Sequence, residues 1–346
     1  MFDFITNYTV RTVLIGAVLL GIVSGVLGVF TLLRKQALIG DAISHATLPG
    51  VVLAFIFTKQ TSLEILLLGA AFASVISMGL IALIKKYSKV KYDASLALIL
   101  SSFFGFGQLL LSIIRDTAGQ DQAKLSKFIF GQAATMSTQD IYILMGVLII
   151  VLVVIVVFWR HLKLYIFNQE YYQSLGFKGY LINILISMMT ILVIVSGIQT
   201  VGVILMSSLL IAPGVAASQW SDKLKIQVLL AGLFGAIASF IGVLVSTNMA
   251  TGPSIVVVAS IIVILSLLIA PKKGILWKEY KMHQHKKQIN QYKELIHIYE
   301  EKEINEDKKN GLTLFIEEGY LDYHEGKYSL TPKGKQKVLA LLTGEL

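Results

Sequence analysis

The feature that most constrains this chain is a succession of apolar runs, each about as long as the ~20 residues a helix needs to cross a bilayer. They extend from about Val10 to Leu33, Gly40 to Phe57, Ile65 to Ile84, Ala94 to Ile114, Ile141 to Trp159, Leu181 to Ile198, Val201 to Ala212, Ile226 to Ser246 and Ser254 to Ala270. Composition agrees, with 55% of the 346 residues hydrophobic and 15% charged, and a mean hydropathy of +0.73. The expected fold is an all-α polytopic membrane protein of about nine transmembrane segments. The seventh is short, follows the sixth tightly through Gln199-Thr200, and is expected as a re-entrant or half-helix piece. The stretch from Arg115 to Asp140 mixes both charge signs and is too hydrophilic to stay in the membrane.

A formal net charge of +9 raises the question of nucleic acid, and its distribution argues against it. Sixteen basic and nine acidic residues precede Pro271, against fourteen and twelve from there on, so the excess sits in loops between apolar runs. One set of alternate loops collects Arg34, Lys35, Lys85, Lys86, Lys89, Lys91, Arg160, Lys163, Lys178, Lys223 and Lys225, 11 of those 16. The positive-inside rule makes that side cytoplasmic, with the N-terminus outside and the tail inside. No cleavable signal-peptide pattern is read at Met1. Cysteine is absent, which excludes disulfides and thiolate metal ligands.

Within the second apolar run, Gly40-Asp41-Ala42-Ile43-Ser44-His45-Ala46-Thr47-Leu48-Pro49-Gly50 places an acid and an imidazole where polar groups are scarce. An acid at bilayer depth costs about 2.5–3.5 kcal/mol on insertion scales, which marks it as functional by default. Asp41 and His45 are four residues apart, so a helix stacks them on one face within reach of one ion. Pro49 lacks an N–H and leaves the His45 carbonyl without its helical partner. Oxygen and nitrogen donors at a helix kink suit a divalent metal. The plainer alternatives are Asp41 as a cap of the helix it opens and His45 as a core histidine.

Two further prolines stand at the ends of runs, Pro213 in Leu209-Leu210-Ile211-Ala212-Pro213-Gly214 and Pro253 in Thr251-Gly252-Pro253. Pro49, Pro213 and Pro253 are expected as helix kinks and gating points. After Pro213, the segment Val215 to Lys225 reads as a short polar helix on the cytoplasmic side. Its Ser218, Gln219, Trp220, Asp222 and Lys223 suit the docking of a soluble partner. Asn168 to Phe177 reads as a second short helix, ending at Gly176, and is the other candidate contact.

These stretches resemble the permease subunits of bacterial ABC importers for manganese, zinc and iron. The resemblance is carried by Gly40 to Ala46 with Leu48-Pro49-Gly50, by Thr200-Val201-Gly202 through Leu209-Leu210-Ile211-Ala212-Pro213, and by Gly252-Pro253-Ser254-Ile255-Val256. It covers about Val10 to Ala270. It implies a multi-pass subunit of the bacterial cytoplasmic membrane, embedded in lipid and paired with a second copy or a close homologue. Metal would come from an extracytoplasmic metal-binding lipoprotein, and the drive from two cytoplasmic ATP-binding subunits. By resemblance, Asp41 and His45 line the path as ligands of the transported metal, manganese first and zinc next, with no permanently bound cofactor. The segment around Ser218 to Lys223 corresponds to the piece that meets the ATPase. Where the family often has an acid before the glycine-proline run, this chain has Asn248.

The chain is not expected to hydrolyse ATP itself. Its only Gly-Lys pairs, Gly326-Lys327 and Gly334-Lys335, continue with Tyr328 and Gln336 rather than Ser or Thr. Three parts are expected: a permease domain over 1–272, a charged helical linker over 273–310, and a module over 311–346. In the last, apolar–polar alternation around Glu325-Gly326 predicts a hairpin. Thr331 and Pro332 predict a capped helix start. Hairpin and helix look like the end of a winged-helix module, yet the preceding segment is short and acidic, and nucleic acid is not an expected partner. Two other classes remain open on these residues: an ion-coupled secondary metal carrier, and a membrane-tethered metal-responsive regulator.

Overall fold

A computed structural model describes residues 8–114, 125, 131, 136–246, 251–271, 273–300, 309–324 and 327–343. Most of the Arg115–Asp140 stretch, Asn248 and the Glu325-Gly326 turn lie outside the described residues. The chain forms two compact units, Met1–Lys272 and Lys273–Leu346.

The first unit is a bundle of α1 (Tyr8–Leu33), α2 (Ile39–Thr58), α3 (Leu63–Tyr87), α4 (Tyr92–Ile114), α5 (Thr138–Val157), α6 (Trp159–Phe167), α7 (Gln169–Ser174), α8 (Gly179–Val201), α9 (Val203–Trp220), α10 (Leu224–Val245) and α11 (Thr251–Ile269). Among the described residues, eight helices are long and apolar enough to cross a membrane: α1 to α5, α8, α10 and α11. With α9 threaded between them, the bundle is the expected polytopic all-α architecture.

Helices in lipid gain nothing from burying leucine, so close approach of backbones holds them together. Gly21 and Gly25 put one face of α1 against α10, where a side chain on Gly21 would collide with the backbone of Gly235 and one on Gly25 with that of Ala231. Gly28 does the same against Leu210 of α9. Local signals set the ends. Ser137 and Asp140 form a reciprocal capping box on α5, the Asp140 carboxylate accepting from the Ser137 N–H at 2.7 Å. Asn168 caps α7 by accepting from the Tyr171 N–H at 2.9 Å. Arg34, just past α1, donates to the Asn183 carbonyl oxygen and ties that end of α1 to the start of α8.

Three expectations are corrected. The tight turn after α8 is made by Gly202, at φ 90° and ψ 161°, a conformation essentially confined to glycine. Met206 folds back onto Gly197 across it. The following helix does not stop at Ala212: α9 runs unbroken through Pro213 to Trp220, so Val215 to Lys225 is not a separate helix. Its first part is the end of α9, Ser221 to Lys223 form the turn, and Lys225 belongs to α10. Pro253 sits in the first turn of α11, where no helical N–H bond is lost, and starts a helix instead of kinking one. Pro49, by contrast, lies inside α2.

The second unit contains α12 (Ile275–Gln291), α13 (Lys293–Tyr299), α14 (Lys309–Glu317), the antiparallel hairpin β1 (Leu321–His324) and β2 (Lys327–Leu330), and α15 (Pro332–Thr343). Thr331 caps α15, its hydroxyl accepting from the Gly334 N–H at 3.0 Å. Leu295 and Ile296 of α13 share one core with Leu312, Phe315, Leu321 and Val338. The stretch expected as a linker therefore supplies part of that core.

Candidate metal centre

Asp41 and His45 lie in the first two turns of α2, one above the other as their spacing demands. Leu38, not Asp41, is the residue that precedes the helix, and it makes no side-chain cap. Asp41 is thus free of the capping role considered for it, and its carboxylate turns sideways. Its Oδ1 stands 3.4 Å from His45 Nε2 and accepts a hydrogen bond from the Ser207 hydroxyl of α9 at 3.3 Å. Gly40 packs closely beside α9, where a side chain would touch Ser207 and displace only the tip of Leu210.

The carboxylate borders a cavity of about 610 Å³ between α2, α9 and α11. Polar groups reach it from all three helices, Asp41, Ser207, Ser208 and Ser260, against apolar walls such as Ile211 and Val263. His45 stands behind the acid, its side chain 14% exposed against 33% for Asp41. Its ring meets Phe104 of α4 edge to face at 4.9 Å, which fixes its plane. The Nδ1 atom is buried with no hydrogen-bond partner among the described residues, while Nε2 faces the Asp41 carboxylate, an acceptor that favours the ring proton on that nitrogen.

A carboxylate oxygen and an imidazole nitrogen 3.4 Å apart fit two ligands of one ion. With bonds of about 2.1 Å each, that separation corresponds to an angle of about 108° at the metal. Among the described residues no group of three or more His, Cys, Asp or Glu side chains assembles to hold a metal. The pair therefore has to be completed by hydroxyls, carbonyls, water or another chain.

The structure brings Asp41 and His45 together and places Pro49 one turn further along the same helix. Sequence reasoning missed Ser207. The available signal was Ser207-Ser208 as adjacent hydroxyls inside the otherwise apolar run Val203 to Ala212. Ser218, Gln219 and Trp220 form the last turn of α9, and Asp222 and Lys223 are exposed in the turn that follows, away from the pair. At the end of the bundle shared by the C-termini of α5 and α9, α7 carries exposed Tyr171 beside Leu175 and Phe177. It is braced by stacking of Tyr172 on Phe177 at 5.1 Å and by a 3.2 Å hydrogen bond between His161 Nδ1 and the Tyr172 hydroxyl. Burial, and then neighbouring Tyr165, raise the Tyr172 phenol above its ordinary range, so it stays neutral in that brace.

Bundled apolar helices around an acid that borders an open pocket, with an imidazole directly behind it, define a membrane permease with a polar site set among its helices. The chain belongs to the ABC 3 transport family, whose model matches residues 6–270. It is 40% identical over 308 residues to the manganese transport system membrane protein MntC of Bacillus subtilis, covering 88% of this chain and 70% of that protein. It is 38% identical over 279 residues to the zinc transport system membrane protein TroC of Treponema pallidum, covering 80% and 94%. Among solved structures, PsaBC from Streptococcus pneumoniae in complex with Fab matches with a TM-score of 0.71 at 32% identity, over 80% of this chain and 98% of that one. An inward-facing putative metal-chelate type ABC transporter, with a TM-score of 0.59 at 12% identity over 74% and 85%, shares the fold alone.

Proposed function

We propose that this chain is the membrane-spanning permease subunit of an ATP-driven importer, passing a divalent transition metal inward with Asp41 and His45 as ligands in transit. The observation that carries the reading is the acid–imidazole pair held at 3.4 Å with its carboxylate on the cavity between α2, α9 and α11. Relatives named for manganese and zinc transport support the cargo class. Oxygen and imidazole donors without thiolate favour manganese, then zinc.

Two side chains leave most of a metal's coordination open, which a second permease copy, the serine hydroxyls and water would fill. A substrate-binding lipoprotein would deliver the ion outside, with the N-terminus on that side and the tail in the cytoplasm. ATP-binding subunits would dock on the cytoplasmic end of the bundle. Two exposed features there suit them, α7 and the turn carrying Asp222 and Lys223 at the end of α9. Hydrolysis belongs to those subunits.

Asp41→Ala is expected to abolish accumulation of radioactive manganese in cells while leaving the amount of protein in the membrane unchanged. Wild-type uptake by that variant would refute the site. Transport by the purified permease in vesicles lacking any ATPase would point instead to a secondary carrier.

A further inference from the structure

On the face of the bundle formed by α1, α5 and α10 runs a groove of about 940 Å³. Its walls are apolar, with Ile22, Val26, Leu152, Val156, Leu229 and Leu233 facing it. Gly232 opens its floor, since a side chain there would press on Val26 at 3.1 Å. Val156 is 73% exposed and Leu229 70%, so the bundle's own helices leave this face uncovered.

The groove is not apolar throughout. Arg160 and Lys225 line it together with Trp159. Arg160 follows the C-terminus of α5 and Lys225 opens α10, so both cations stand at the same end of the bundle. Among the described residues neither has a carboxylate within ion-pair distance. From Lys225 to Ala236, the deepest residue of α10 in the groove, the helix rises about 16 Å. That is half of the ~30 Å hydrocarbon core, the depth of one leaflet.

A second groove, between α2, α3 and α4, serves as an internal contrast. It measures about 720 Å³ and no charged residue lines it, so any acyl chain fits it and no headgroup is selected. The α1–α5–α10 groove differs in having two cations and an interfacial tryptophan at its mouth, the arrangement that recognises an acidic headgroup.

We propose that this groove is a binding site for one anionic phospholipid, its phosphate between Arg160 and Lys225 and an acyl chain lying along α10. With that end of the bundle in the cytoplasm, the lipid belongs to the inner leaflet, where the cations attract it by charge and the groove retains it by shape.

The test uses the full-length protein in discs of phosphatidylcholine mixed with phosphatidylglycerol, with retained lipid read by native mass spectrometry. Wild type is expected to retain phosphatidylglycerol about tenfold over phosphatidylcholine, as ~1.4 kcal/mol of preference implies. The double variant Arg160→Gln/Lys225→Gln is expected to fall to parity, and Arg160→Lys to keep the preference. Leu229→Trp, which fills the groove and leaves both cations in place, is expected to lower retention of both lipids. Equal retention of the two lipids by wild type, or an unchanged preference in the double glutamine variant, would overturn the site. Because the sequence has no cysteine, Leu229→Cys also reports cleanly on a competing occupant. Disulfide cross-linking of two copies through that position would put a second permease in the groove and dismiss the lipid.

Discussion

At the scale of single residues, Asp41 alone carries a charge among the residues that line the pocket between α2, α9 and α11. Asp41→Asn keeps its shape and its contact with Ser207, yet removes the charge that would hold a dication in the proposed path. It is expected to lose manganese accumulation as fully as Asp41→Ala. Ser207→Ala leaves Asp41 and His45 in place and removes the hydroxyl that hydrogen-bonds the Asp41 carboxylate. Metal affinity should fall by about tenfold, read by equilibrium binding to the purified protein. The pair itself was legible because four-residue spacing fixes a shared helix face wherever the helix lies. Ser207 was not, because it comes from a helix 166 positions away and only packing brings it to the carboxylate.

At the scale of elements, most spans could be read because their apolar runs exceed anything else the chain offers. The boundaries that failed all involve proline or glycine. Pro213 reads as a kink at the end of a run, but in a bundle the neighbouring helices hold a helix on course through proline, and α9 continues past it to Trp220. Pro253 reads as a kink and is a start. The junction after α8 reads as Gln199-Thr200 and falls on Gly202, because only glycine takes that backbone conformation. Gly202→Ala is expected to strain the joint by about 1–3 kcal/mol. It should lower the melting temperature of the purified protein, and metal affinity should fall with it, because Ser207 lies just beyond the turn. The α7 element and the Thr331 start of α15 were readable from their caps, whose signals are local and need no partner.

At the scale of the whole molecule, the two compact units answer to different forces. The family match ends at residue 270, while the match to MntC, longer than that segment, reaches into the tail. The tail has its own small core, with Val338 and Leu312 fully buried. Val338→Asp should unfold it, and a chain ending at Lys272 should still insert and accumulate manganese. Proteolysis of the first variant and uptake by the second check these outcomes. The seam of Gly21 and Gly25 against Gly235 and Ala231 has one more effect. At those positions main chain lies directly against main chain, which leaves little room for the two helices to slide past one another. Helices α1 and α10 are therefore expected to move as one body, so a cysteine pair cross-linking them across that seam should leave metal uptake unchanged.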